Sequence, residues 1–114
     1  MNKWLLLCLL AFTVQAKDLT VRWELATERM DATPLPVSEI ASTRVEWGTC
    51  SGLLFGTSLG TRDVAAPAVS TVVTLDAGTY CFRGFTVDTE GLVSDSSNVA
   101  QKVVKGRPKP PKML

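Results

Sequence analysis

The chain has 114 residues, 12 basic and 11 acidic side chains, a formal net charge of +1 and no histidine. That length leaves room for one compact domain and not two. Without an imidazole no Ser-His-Asp or Cys-His unit can be built within one chain, and a metal site would lack its commonest ligand, so no enzymatic activity and no cofactor are expected.

Met1-Asn2-Lys3 precedes an apolar run from Trp4 to Val14, and Val14-Gln15-Ala16 sets small or branched residues at the positions a signal peptidase reads. Residues 1–16 are predicted to be a secretory signal peptide. The run of about 11 residues is short of the roughly 20 that a membrane span needs. The expected product is exported, periplasmic or extracellular, and Cys8 leaves with the signal.

In the exported chain Leu19, Val21 and Trp23 alternate with Thr20, Arg22 and Glu24, the period of a strand with one buried face. Trp23 is the expected core anchor. Glu28 to Pro36 reads as an ordered loop because two prolines exclude a helix there. A second strand is predicted over Thr43 to Thr49, with Thr43, Val45 and Trp47 on one face. Gly48 to Gly60 reads as turn-rich, with Leu53-Leu54-Phe55 as a short edge strand. The β-branched stretch from Val69 to Thr74 predicts a third strand.

Leu75 to Gly78 then makes a corner before a long strand, Thr79 to Asp88, in which Tyr80, Phe82, Gly84 and Thr86 share one face and Cys81, Arg83, Phe85 and Val87 the other. A last strand is expected over Asn98 to Val104. Residues 105–114 form a basic, proline-rich tail that is expected to be extended and disordered. From Lys102 to Lys112 there are five bases and no acid, leaving the rest of the exported chain 6 bases against 11 acids. Such a tail attracts an acidic surface or serves solubility. Nucleic acid is not an expected partner, and membrane contact is expected only through the tail.

Trp23, Arg44-Val45-Glu46-Trp47-Gly48 and Leu75-Asp76-Ala77-Gly78-Thr79-Tyr80-Cys81-Phe82 together resemble a fibronectin type III domain, in its bacterial and phage form. Asp31-Ala32-Thr33-Pro34-Leu35 is similar to the family loop written Asp-Gly-Thr-Pro-Leu. Val87 to Gly91 and Ser94 to Asn98 are similar to its last turn and last strand. The resemblance covers nearly all of Leu19 to Val104. It implies an all-β, immunoglobulin-like antiparallel sandwich over residues 17–104, with Tyr80 as a tyrosine corner packing by Leu75. Thr43, Gly84 and Ala32 depart from the family pattern, which has an aromatic, an aliphatic and a glycine there. The first strand is short or missing, which leaves an edge open to a partner.

Cys50 and Cys81, two cysteines in an exported chain, suggest a disulfide. The resemblance places the end of the second strand beside the start of the long one, bringing the two together on the outer face. Structural roles are expected for Trp23, Val45, Trp47, Leu75, Gly78, Tyr80 and Phe82. The candidate binding surface is the outward side of the long strand and the turn after it: Arg83, Phe85, Val87, Asp88, Glu90 and Leu92, with Leu53 to Phe55 as a second element or as a cover over Phe85. No metal site is expected, since Asp88, Glu90 and Asp95 read as a solvated acidic loop. The expected role is a non-catalytic binding module recognising protein or glycan at a cell envelope or virion surface. The alternatives are a structural spacer or assembly subunit, and an anionic-polymer or membrane binder acting through the tail.

Overall fold

The computed structural model describes residues 16–114, so the expected signal peptide, apart from Ala16, lies outside the described residues. Six strands follow one another: β1 (Lys17–Arg22), β2 (Ile40–Ser51), β3 (Leu54–Ala65), β4 (Ser70–Leu75), β5 (Gly78–Asp88) and β6 (Ala100–Val104). β1 pairs with β4 in a two-stranded sheet, and the other four form a sheet in the order β3-β2-β5-β6. Every pairing is antiparallel. The chain is therefore all-β, with two antiparallel sheets.

The alternation seen in the sequence sets which faces meet. Val21 and Val73 from the small sheet pack against Val45 and Phe82 from the large one, ringed by Leu19, Trp23, Trp47, Leu75 and Tyr80. Full burial of one such side chain contributes roughly 1.5 to 3 kcal/mol. The Tyr80 hydroxyl donates to the Asp76 carbonyl at 2.8 Å, tying the Leu75 to Gly78 corner to β5. Cys50 and Cys81 are joined, with Cα atoms 5.3 Å apart, where β2 runs out beside the start of β5.

Three expectations need correction. Residues 48–60, expected to be turn-rich with a short edge strand at Leu53 to Phe55, turn only at Gly52 and Leu53: residues 48–51 continue β2, and the edge strand runs on for 12 residues as β3. Its glycines allow close packing rather than turning: Trp47 faces Gly60 across the β2–β3 ladder, and a Cβ at Gly60 would run into the indole. β3 is an edge strand with few covered side chains, so it shows no period-two apolar pattern. β2 is longer than expected, starting at Ile40, and β6 starts at Ala100 rather than Asn98. Cys81 takes the outer face expected of it, opposite Phe82, and is nevertheless 0% exposed, because it lies in mid-sheet between β2 and β6 under its own bridge.

The two sides of the molecule close differently. Beside β3 and β4, the Arg62 guanidinium reaches across from the large sheet to donate to the Thr71 hydroxyl and the Val72 carbonyl of the small one. Beside β1 and β6, by contrast, the two sheets stand apart and leave a groove.

Candidate functional site

On the outward face of the large sheet, Arg83 donates to Glu46 Oε1 at 2.6 Å. Its guanidinium carbon lies 4.0 Å from the Phe55 ring centre and 5.6 Å from that of Phe85. Phe55, which pairs with Cys50 at the far end of the β2–β3 ladder, thus covers Arg83, and Arg83 separates it from Phe85. Such cation–π stacking favours a delocalised cation over an aromatic face. Burial pushes the Glu46 carboxyl up, but hydrogen bonds from Arg83 and Ser58 outweigh it and leave the group below its ordinary value. Phe85 and Val87 are half-buried in this layer and do not form a bare apolar patch.

Asp88 is 4% exposed and faces inward at the end of β5. Its Oδ2 accepts from Arg29 at 2.8 Å, and its Oδ1 accepts from the backbone N–H groups of Glu90 and Leu92 at 3.0 and 2.8 Å. The Arg29 bond first, then the Leu92 amide, holds its carboxyl below the usual value. Asp88 therefore organises the turn, its carboxylate engaged within the chain rather than standing out as a solvated acid. The organised turn throws Leu92 outward, 61% exposed, and leaves Glu90 exposed. Among the described residues no group of three His, Cys, Asp or Glu is placed to hold a metal ion.

A groove lies beside β1. It has a volume of about 910 Å³, with Val21 and Trp23 on one wall, Phe82 and Ala100 on the other, and Thr43 and Val45 at its base. The core side chains Val21, Val45 and Phe82 thus back the groove while staying buried themselves. The three departures from the family pattern now divide in meaning. Gly84 and Thr43 stand where bulk is expected, and a Cβ at Gly84 would meet nothing closer than 3.7 Å, so missing side chains help to open the groove. Ala32 adopts a left-handed backbone, φ 67°, the conformation for which glycine is favoured.

Among the described residues, the wall formed by β1 carries backbone unpaired on its outer edge. Trp23 N–H donates to Val69 O at 3.0 Å, and hydrogen-bonded pairs alternate along an antiparallel ladder. Val21↔Thr71 and Leu19↔Val73 share that phase, so Asp18, Thr20 and Arg22 point their N–H and C=O groups away from β4. The indole Nε1 of Trp23 is buried with no hydrogen-bond partner. At the end of the groove next to Asp88, Met30 is 77% exposed beside Leu92.

Of the expected surface residues, Arg83, Phe85, Asp88 and Leu92 border this groove, while Val87 and Glu90 do not. Leu53 and Leu54 are exposed at the turn between β2 and β3, away from the groove. Sequence reasoning missed Val21, Thr43 and Ala100 as site residues, although the short or missing first strand was the signal that pointed to them. No protein-family model, curated protein or solved structure matches the chain.

Proposed function

We propose that this chain is an exported, non-catalytic binding module that recognises a protein at a cell envelope or virion surface. It is read as an immunoglobulin-like sandwich of the fibronectin type III kind whose first strand is short or missing. Three observations support the family reading: the sequence motifs, the Tyr80 to Asp76 bond at the corner, and the left-handed backbone of Ala32 where the family loop has glycine.

The observation that carries the binding reading is the unpaired edge of β1 beside an apolar groove. An extended peptide can add to such an edge, with backbone hydrogen bonds supplying affinity and alternate side chains entering the groove. A glycan has no donors and acceptors repeating at strand spacing, so the edge favours protein. A photo-crosslinking residue at Ala100, in the groove, should capture one defined polypeptide from the envelope, whereas the same residue at Thr61, on the far edge strand β3, should not. Equal capture at both positions, or none at Ala100, would refute the reading.

A further inference from the structure

We propose that the groove is filled by residues 105–114 of a second copy of this chain, in a head-to-tail assembly. The inference rests on the binding reading above and names its partner.

The first argument is the pattern of the tail. If it is laid out as a strand, Gly106, Pro108, Pro110, Lys112 and Leu114 share one face, and Lys105, Arg107, Lys109, Pro111 and Met113 the other. One face is largely apolar, the other largely cationic. Pro108 and Pro110 both lack an N–H on the same edge, as in strands that pair on one side only. The opposite edge keeps the donors of Lys105, Arg107 and Lys109, losing only that of Pro111. Such a strand can dress the free edge of β1 while Pro108 and Pro110 face the groove.

The second argument is charge. Glu24, Glu28, Asp31 and Asp95 border the groove together with the bases Arg22 and Lys102, and none of these four acids joins an ion pair among the described residues. Nor does any base of the tail. They gather toward the end of the groove that carries Asp88, because Arg29 binds Asp88 and brings with it the loop holding Glu28 and Asp31. The tail leaves from the other end, where Gly106 lies near Ala77 at the start of β5, and residues 105–114 are exposed throughout. Acidic mouth and basic tail thus sit at opposite ends of one molecule, the arrangement that joins copies in sequence.

The third argument is reach. Ten residues extended span roughly 33 Å, whereas the six residues of β1 offer an edge of about 20 Å. The tail covers that edge with residues to spare for the mouth. Because tail and groove are different surfaces, the contact is heterologous and continues into a ring or a filament.

The test is sedimentation of the exported protein across a concentration series, joined to binding of a labelled peptide of residues 105–114 to a chain ending at Val104. Association should rise with concentration and vanish in the chain ending at Val104, and that chain should bind the peptide saturably. Glu24→Lys with Glu28→Lys should weaken peptide binding by roughly tenfold, as should Arg107→Glu with Lys109→Glu in the peptide, from two surface ion pairs. Combining the two reversed partners should recover most of the loss. A scrambled peptide of the same composition that binds equally well would reduce the effect to unspecific charge and overturn the proposal. A protein that stays monomeric and does not bind the peptide would also overturn it. If that protein were still crosslinked at Ala100 to a different polypeptide, the inference would fail and the binding reading would stand.

Discussion

The two lateral sides of this molecule are built from the same kinds of strand but reach opposite ends. On the β3 and β4 side, Arg62 bonds across the gap between the sheets and lies 6.0 Å from the Trp47 ring. On the β1 and β6 side, the facing positions are Gly84, Thr43 and Ala100, too small to meet β1, and the space stays open. Closure in a sandwich this small thus depends on a few long side chains at the margin. Where the margin is lined with short ones, an edge is left for something else to fill.

The largest test of this contrast is at Phe82, which belongs both to the core and to the groove wall. Phe82→Ala should cost about 3 to 5 kcal/mol in urea denaturation, with the groove widened in any protein that remains folded. Second comes the bridge that pins β2 to β5. Removing both cysteines, Cys50→Ser with Cys81→Ser, opens a loop with a sequence separation of 31 and should cost roughly 3 to 4 kcal/mol. Hydrogen exchange should then quicken in β2 and β5 rather than only in β1.

Acid should act next, at one carboxyl in the middle of the large sheet and one at its end. Asp88 is held below its ordinary value first by Arg29, and Glu46 stays below its own because hydrogen bonds from Arg83 and Ser58 outweigh burial. For both, the folded value lies under the unfolded one, so their stabilisation is complete above the ordinary carboxylate range, near pH 4. It is lost as pH falls through the lowered folded values. Urea midpoints measured from pH 7 down to pH 2 should fall in that window, and Asp88→Asn should flatten part of the slope.

Smaller effects sharpen the comparison. Arg62→Ala should cost about 1 kcal/mol and make the β4 amides exchange nearly as fast as those of β1, turning the closed side into a second open one. Ala32→Gly should move stability the other way, by about 0.5 to 1 kcal/mol, because it relieves a left-handed alanine. That gain, read as a raised urea midpoint, should leave peptide binding unchanged.

Much of the strand layout was legible along the chain. Period-two alternation placed Val21, Val45 and Phe82 in the core, because side chains of a strand must alternate between its faces. Of the edge strand β3 only the start, at Leu54 and Phe55, was legible, since the rest buries too little to pattern its sequence and its glycines mimic turn signals. The Phe55, Arg83 and Phe85 stack was half visible: alternation put Arg83 and Phe85 on one face, but nothing local told that Phe55 would return over the guanidinium. Asp88 looked like a surface acid in a polar turn. Only its meeting with Arg29, 59 residues earlier, makes it an internal support.

By itself the sequence determined the all-β class, the strand faces, the cysteines available for a bridge and the split between acidic body and basic tail, because all of these follow from local alternation and composition. The tertiary structure alone decided that Gly84, Thr43 and Ala100 converge opposite a bare β1 edge. A groove is a property of what four separated strands fail to fill, and no single stretch of chain records the size of the gap between its neighbours.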